Sequence, residues 1–285
     1  MKKYISLLLL TAVLFSCKKD HTPAPSASIN DPFIRMDNAA SDADHQIYLL
    51  YKSTGVPVLY TDTLTTSPLT LLNVGYHITS YDSLVTVRYL HSQDDVLSGV
   101  NFVKDEILPS LGAGLRPYSI LLADSVYTYN IYKQQVILNA YLGLQTLAVG
   151  RVGEIKTMPE DVLKAYKKDI FKNILLTQLA QHDDLLKDFY AVSAAYYNKY
   201  AYGDGSYPGY IPYQPKEAYG LLTDGTEYPG YYPTGDQTTD LANYLDVVLV
   251  LSADEFAQKY ADYPLVLTKY DLLVKVLTTL EFKMP

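Results

Sequence analysis

The chain has 285 residues, of which 48% are hydrophobic, and a formal net charge of −8 at neutral pH. An acidic chain repels phosphates, which argues against nucleic acid as a partner. A single cysteine excludes an internal disulfide, so packing must stabilise the fold.

Residues 1–16 have the pattern of a bacterial lipoprotein signal peptide. Lys2 and Lys3 precede an apolar run, residues 5–15, that is too short to span a bilayer. Cys17 follows, where a lipobox has its acylated residue. The acyl chains would bury tens of methylenes at about 0.8 kcal/mol each, enough for a stable anchor. We predict an outer-membrane lipoprotein on the periplasmic or surface face, with the surface favoured; a cleaved secretory peptide is the alternative.

After the signal, the chain divides into a tether and a folded part. Residues 17–31 are predicted to form the lipid anchor and a flexible tether, because they bury too little apolar surface to fold. Residues 32–285 are predicted to form a single domain, with an α+β half at about 32–157 and a helical half at about 158–285. No later apolar run approaches the ~20 residues of a membrane-spanning helix.

The N-terminal half has the pattern of a small sheet with helices. Helices are predicted at residues 42–53 and 92–108, the second stopped by Pro109. Runs of β-branched and aromatic residues between turn residues predict strands. These strands are expected at residues 56–60, 78–80, 84–90, 118–123, 136–139 and 144–149.

The C-terminal half is mainly helical in pattern. Apolar residues at helical spacing predict a long helix from Pro159 to about residue 185. Further helices are predicted at residues 188–200, 239–261 and 265–280. Residues 202–236 are dense in Gly, Pro and Tyr, and we predict a long irregular loop, of the kind that is usually functional or disordered. The predicted fold class is therefore α+β.

The order of these features resembles the substrate import-associated zinc metallohydrolase lipoproteins, which are close to the putative zinc-binding metallopeptidases with a zincin-like fold. The likeness lies in the lipoprotein signal, residues 115–125 (LRPYSILLADS), the long helix and residues 188–197 (DFYAVSAAYY). The resemblance implies one zincin-like domain over residues 32–285. It also implies company with an outer-membrane nutrient-import complex of the TonB-dependent kind.

The resemblance implies a zinc motif on the long helix as well. In His-Glu-x-x-His, two imidazoles bind Zn²⁺ and the Glu acts on the bound water. Here Thr177, Gln178 and Gln181 occupy those slots, and Asn243 stands where a further acidic ligand is expected. Amides and hydroxyls are poor zinc ligands, and Gln178 cannot accept a proton as a carboxylate does. We therefore expect no catalytic residue, metal ligand or zinc cofactor, and interpret the chain as a pseudoenzyme that acts as a binding or accessory component.

An active hydrolase is the alternative. The five histidines include no pair at three- or four-residue spacing, so no shift of register restores the motif. A metal site using His182 and Asp183 stays open, as does a glycosidase with two carboxylates across a sugar. Adjacent residues diverge by about 100° on a helix, which favours caps or surface charges instead. The acid pairs concerned are Asp94-Asp95, Asp183-Asp184 and Asp254-Glu255.

Tyrosine is unusually abundant, with 29 Tyr, 7 Phe and no Trp. Two Tyr-Pro-Gly-Tyr segments lie within residues 202–236, and Pro-Gly favours a type II turn that brings the flanking tyrosines together. Exposed tyrosines make good contact surfaces for oligosaccharides, peptides or protein partners. Alternatively, the rings pack the loop onto its own body, as in a purely structural surface lipoprotein. The candidate ligand-binding residues are Tyr207, Tyr210, Tyr228, Tyr231 and Tyr232.

Overall fold

The computed structural model describes residues 31–75, 85–223, 225 and 228–284. The signal peptide, Cys17, most of the tether and the strand predicted at residues 78–80 lie outside the described residues. From Arg35 onward the chain forms one compact unit. Helices and small sheets occur together in it, which confirms the α+β class. Within the described ranges, no helix is both long and apolar enough to cross a bilayer.

The regular elements follow one another along the whole unit. The helices are α1 Asp42–Thr54, α2 Gln93–Phe102, α3 Glu160–Leu179, α4 Asp183–Val192, α5 Gln237–Val248, α6 Ala253–Lys259 and α7 Pro264–Thr279. The first strands are β1 Val58–Leu59, β2 Thr63–Thr66, β3 Leu69–Leu71, β4 Thr86–Tyr89, β5 Ser119–Tyr129 and β6 Gln135–Leu138. The later strands are β7 Ala140–Leu142, β8 Thr146–Val149, β9 Tyr200–Tyr202, β10 Tyr210–Ile211 and β11 Tyr231–Pro233.

The larger sheet is organised around β5, which has 11 residues. β1 and β8 lie parallel to its first half, and β7 pairs antiparallel with β8. β4 and β6 pair antiparallel with its second half. Residues 120–123 are fully buried, as expected for a strand that is covered on both faces, whereas Tyr129 is exposed. β5 therefore runs from the core to the surface.

Helix α1 shows how local sequence sets an element. The Ser41 hydroxyl accepts a hydrogen bond from the Asp44 N–H at 3.3 Å, and Asp42 adds negative charge where the helix dipole favours it. The helix ends at Gly55, whose φ of 75° suits glycine and whose N–H donates to the Tyr51 carbonyl at 2.8 Å. The prediction for this helix is confirmed.

The predicted helix from Pro159 to about residue 185 is too long. α3 ends at Leu179, and α4 begins at Asp183 and ends at Val192, so it starts and stops earlier than the second helix predicted at residues 188–200. In the second segment, Leu186 and Phe189 are fully buried. Asp183 lies in the first turn of α4, where negative charge is favourable. Packing of these two apolar side chains thus outweighs continued helix.

Two other predicted helices are also interrupted. The helix predicted at residues 239–261 is α5 and α6, and α6 begins with a capping box between Ser252 and Glu255. The helix predicted at residues 92–108 is α-helical only to Phe102 and then changes to π and 3₁₀ turns around Pro109. Proline has no N–H to donate and its ring clashes with the preceding turn, which prevents a regular α-helix there.

The strand predictions are partly correct. The strand predicted at residues 118–123 continues to Tyr129, because Val126 still packs in the core. The other predictions in the described ranges correspond to the shorter strands β1, β4, β6 and β8, while β2, β3 and β7 were not predicted.

The prediction of a long irregular loop at residues 202–236 is wrong. β9 pairs parallel with β10 and antiparallel with β11, and a 3₁₀ turn at Lys216–Tyr219 follows β10. The end of the helix predicted at residues 188–200 is also not helical, and Tyr200 is already part of β9. Glycine and proline shape the connections of this small sheet rather than preventing it.

Candidate functional site: a tyrosine cluster backed by a buried polar network

The small sheet of β9, β10 and β11 has two different faces. Ala201, Ile211 and Tyr232 point inward and pack with Tyr219 and Leu221 in a separate apolar cluster. Because side chains alternate along a strand, their neighbours point outward. The outward residues, together with the preceding turn, form what we call the tyrosine cluster: Tyr200, Tyr202, Tyr207, Tyr210 and Tyr231.

The rings of the tyrosine cluster contact one another. The Tyr200 ring is stacked on that of Tyr231, with centroids 5.6 Å apart and planes 13° apart, and lies 5.8 Å from that of Tyr210. Tyr202 meets Tyr210 and Tyr231 edge-on at 6.2 and 6.5 Å. Tyr207 lies 6.2 Å from Tyr210. These are favourable aromatic separations, so the cluster is held in place by its own contacts.

Both Tyr-Pro-Gly-Tyr segments form the predicted turns. The Tyr210 N–H donates to the Tyr207 carbonyl at 3.0 Å, and Gly209 has a φ of 85°. Tyr228 and Tyr231 exchange two backbone hydrogen bonds of 3.1 and 3.0 Å. The positive φ of the turn glycine is the conformation that a type II turn requires. The sequence therefore correctly predicted how the tyrosines on either side of each turn approach.

Four of the five predicted ligand-binding tyrosines lie at or beside this surface. Tyr207, Tyr210 and Tyr231 belong to the cluster, and the exposed Tyr228 flanks its last turn. The prediction for Tyr232 is wrong: its side chain is buried, its hydroxyl donates to the Gln214 carbonyl, and its ring faces the Lys216 Nζ at 5.4 Å.

Tyr200 and Tyr202 were missed by the sequence reasoning. Tyr200 was assigned to the end of a predicted helix and Tyr202 to the predicted loop, but the alternation Tyr200-Ala201-Tyr202 is the period-2 signature of a half-buried strand. Three residues are too few to outweigh a helical pattern that precedes them. Pairing with β10 and β11 decides the conformation.

Beneath the small sheet lies a buried polar network of Ser193, Tyr197, Asp240 and Lys269. The Lys269 Nζ donates to an Asp240 carboxylate oxygen and to the Ser193 hydroxyl, the latter at 3.2 Å. The Tyr197 hydroxyl donates to the same Asp240 oxygen at 2.6 Å. Ser193 in turn donates to the Tyr219 carbonyl at 2.8 Å. The side chains of Lys269 and Asp240 are 0% exposed, so this is an ion pair removed from water.

Burial controls the electrostatics of this network. It lowers the pKa of Lys269 from 10.5 to about 8, although Asp240 acts in the opposite direction. It raises the pKa of Asp240 above the usual value, despite the nearby ammonium. The rings of Phe189 and Tyr244, with centroids 4.3 and 4.7 Å from the Lys269 Nζ, offer the cation additional stabilisation. These partners act on one oxygen of the Asp240 carboxylate, Oδ2, whereas its Oδ1 is buried without a hydrogen-bond partner among the described residues.

The network connects the tyrosine cluster to the helical body. Tyr197 lies just before β9, and Asp240 lies just after β11 in α5. Between them, the Asn198 N–H donates to the Gly235 carbonyl at 2.7 Å. Lys269 is on α7. The network therefore joins the two ends of the small sheet to α5 and α7. Because Ser193 and Lys269 are fully buried, we assign the network a supporting rather than a catalytic role.

The sequence reasoning missed this network. Lys269 occupies a position in the apolar stripe of α7, between the buried residues Val266 and Leu273. A lysine at such a position is the one readable signal, since a buried cation requires a partner. Asp240 gives no comparable signal because the first turn of a helix commonly carries an exposed acid.

The four positions at which the resemblance places the zinc motif lie at or just beyond the end of α3 and on α5. Thr177 is exposed and donates to the Asn173 carbonyl at 3.1 Å, and Gln178 is half-buried in the last turn of α3. Gln181 is exposed beyond the end of that helix, so the expected motif helix does not reach it. Asn243, on α5, donates to the Leu222 carbonyl at 3.2 Å. In the part of the chain that the structure describes, no group of three or more His, Cys, Asp or Glu side chains is arranged to hold a metal ion.

The residues of the hydrolase alternative lie at helix starts. His182 is the residue before α4 and makes no side-chain capping hydrogen bond. Each of the three acid pairs lies in the first turn of a helix, as helix-dipole stabilisation favours. Asp94-Asp95 begins α2, Asp183-Asp184 begins α4, and Asp254-Glu255 begins α6.

Comparison with known proteins gives no relative for this architecture. No protein-family model matches the chain, and neither does a curated protein or a solved structure. By its fold and its site, the chain is an α+β protein with an exposed aromatic surface supported by a buried ion pair.

Proposed function

We propose that this chain is a lipid-anchored cell-envelope protein that binds a neutral oligosaccharide on its tyrosine cluster. The observation that carries the proposal is the exposed set of mutually packed rings on the outer face of the small sheet. A prearranged surface of this kind binds a ligand at a low cost in side-chain entropy. The protein acts as a binding or accessory component rather than as an enzyme.

The chemistry of the cluster favours a sugar. Its five side chains are uncharged at neutral pH, and each combines an apolar ring with a hydroxyl that donates and accepts hydrogen bonds. A pyranose has the matching combination of apolar C–H faces and hydroxyl groups. A peptide is the other ligand that such a surface accommodates, and the binding experiment below distinguishes the two.

The cellular setting of the proposal is supported by sequence alone. The lipobox pattern at Cys17 supports the outer-membrane anchor, and the resemblance to import-associated lipoproteins supports company with a TonB-dependent complex. The zincin-like ancestry has the same support. The replacement of the motif residues by Thr177, Gln178 and Gln181 supports the loss of zinc hydrolysis.

Replacing both stacked tyrosines, Tyr200→Ala with Tyr231→Ala, is expected to weaken oligosaccharide binding at least about tenfold, because buried aromatic contacts dominate the energy of such surfaces. Titration calorimetry against oligosaccharides derived from starch, xylan and mannan measures the change. Tyr200 is exposed and Tyr231 is half-buried, and neither belongs to a hydrophobic core cluster, so the far-ultraviolet spectrum and the unfolding midpoint are expected to change little.

Tyr118→Ala is the matched control, because Tyr118 is an exposed tyrosine outside the cluster. It is expected to leave oligosaccharide affinity unchanged. If the double variant binds as tightly as the original chain, the cluster is not the binding site. If no oligosaccharide binds but peptides do, the ligand class is wrong while the site stands. If neither binds, the purely structural alternative replaces the proposal.

The purified protein is expected to hold less than about a tenth of an equivalent of zinc after expression with added zinc and brief dialysis, because amide and hydroxyl side chains bind zinc poorly. Plasma mass spectrometry measures the metal content. About one equivalent of retained zinc would contradict the proposal and favour the hydrolase alternative. Loss of that zinc in a His182→Ala variant would then locate a ligand.

A further inference from the structure

The hairpin of β5 and β6 ends in an exposed apolar tip. Residues 130–134 connect the two strands, and within them Ile131 is 89% exposed and Tyr132 is 76% exposed. Val136 and Ile137, on the adjoining strand β6, are exposed as well. Single exposed apolar residues need no explanation, but a contiguous exposed group indicates a contact surface.

The tip has a defined conformation. The Asn130 side-chain oxygen accepts hydrogen bonds from the backbone N–H groups of Tyr132 and Gln134, at 2.9 and 3.0 Å. The Asn130 side-chain nitrogen donates to the Gln134 side-chain oxygen at 3.0 Å. The chain turns through Lys133, which has a φ of 60°. These bonds hold Ile131 and Tyr132 outward instead of letting them fold back onto the strands.

The charge of the hairpin differs from that of the whole chain. Although the net charge is −8, residues 125–153 contain no Asp or Glu, and Lys133 is the charged residue of the tip. A cation beside an aliphatic and an aromatic side chain matches the surface of a bilayer with anionic lipids. The aliphatic group enters the acyl boundary, tyrosine favours the interface, and lysine contacts the head groups.

We propose that the hairpin tip, residues 130–134, inserts into the surface of an anionic bilayer. The inference rests on the membrane anchor of the proposed function and adds a second contact to it. Between Cys17 and Arg35 the chain spans at most about 60 Å when fully extended, so the tether alone leaves the orientation of the body open. The tip contact fixes which side of the body faces the lipid.

A bilayer fits the tip better than a protein partner does. A stable protein interface buries roughly 800 Å² on each side, and the tip presents two prominent apolar side chains at the end of an arm. Membrane insertion needs no shaped complementary surface, and a protein that is already anchored needs only a weak second contact.

The experiment uses the full lipoprotein, isolated from membranes and reconstituted in vesicles of phosphatidylethanolamine and phosphatidylglycerol. An Ile131→Cys variant carries an environment-sensitive dye, since an acylated Cys17 takes up no label. A dye at Leu69→Cys, an exposed aliphatic position on strand β3, is the matched control. We expect blue-shifted emission that brominated lipid quenches at position 131 but not at position 69.

Charge provides a second variant. Lys133→Glu in the dye-labelled protein is expected to reduce the ratio of inserted to free tips about fivefold or more on anionic vesicles, since one basic residue is lost and an acid is gained. On vesicles of phosphatidylcholine alone, the two proteins are expected to behave alike. An equal signal for both proteins on anionic vesicles would overturn the assigned role of Lys133 and with it the proposal.

The outcomes separate the inference from the proposed anchor. Flotation of the vesicles shows whether the protein is attached to them. If the protein floats with the vesicles but the dye at position 131 emits as it does in water, the tip contact is overturned and the anchor stands. If the protein does not float and its Cys17 takes up dye, the anchor is overturned. A blue shift at position 131 when vesicles are added to that protein would still support the tip contact. If the dye at position 131 shows blue-shifted emission without lipid, and that shift depends on protein concentration, a second copy of the chain is the partner and the inference is overturned.

Discussion

Lys269→Met is expected to lower the free energy of unfolding by about 3–5 kcal/mol, because it leaves the Asp240 carboxylate buried without its cation. The ammonium of Lys269 contacts Asp240 and Ser193, and no other cation is bonded to Asp240 within the described residues. Urea unfolding monitored by circular dichroism measures the change. Methionine is unbranched and replaces the apolar stem of lysine, lacking only an atom at the place of the Nζ, so the loss reports mainly the charge rather than a cavity.

A second substitution tests this explanation. Asp240→Asn with Lys269→Met removes both charges and keeps an oxygen that accepts the Tyr197 hydroxyl, so the double variant is expected to cost less than Lys269→Met alone. Lys275→Met, at an exposed position of the same helix, is the matched control and is expected to change stability by less than about 0.5 kcal/mol. A double variant as unstable as Lys269→Met alone would show that the loss does not come from an unpaired Asp240 carboxylate.

The effect of Lys269→Met is expected to depend on pH. Burial already raises the pKa of Asp240, and loss of the ammonium removes a group that lowers it, so the pKa of Asp240 rises further in the variant. A carboxyl with a raised pKa contributes stability that is lost as pH rises through its folded pKa. The destabilisation is therefore expected to be smaller near pH 4 than near pH 8. An equal loss at both values would contradict a charge-based explanation.

Cys17→Ser is expected to move the protein out of the membrane fraction, because the hydroxyl does not form the thioether through which lipid is attached. Two or three acyl chains at about 0.8 kcal/mol per methylene would make a stable anchor, whereas the proposed tip contact would be weak and reversible. Labelling of growing cells with radioactive palmitate, followed by fractionation, measures both attachment and location.

Ser16→Ala is the control for this experiment, since it keeps a small residue at the position before the cysteine, where cleavage requires one. It is expected to be labelled and to stay with the membrane. A Cys17→Ser protein that remains with the membrane after washing in high salt would contradict lipid anchoring. A chain that is never labelled, yet is exported and cleaved, would support the secretory alternative.

The elements that sequence predicted well are those whose signals are local. α1 has its serine cap and terminal glycine within a few residues, and both Pro-Gly turns depend on one glycine with positive φ. The α+β class follows from apolar periodicity in the same way. The break between α3 and α4 had no glycine or proline to announce it. The break depends on where Leu186 and Phe189 pack in the core, which is a property of the tertiary structure.

For the candidate site, the sequence by itself determined the abundance of tyrosine and the turns that bring Tyr207 and Tyr210 together. Only the tertiary structure decided that Tyr200 and Tyr202 join the outer face while Tyr232 turns inward. Strand pairing assigns each residue to a face, and a shift of one residue exchanges the two faces. The buried pair of Asp240 and Lys269 likewise joins residues that are distant in the chain, so their contact depends on how α5 packs with α7.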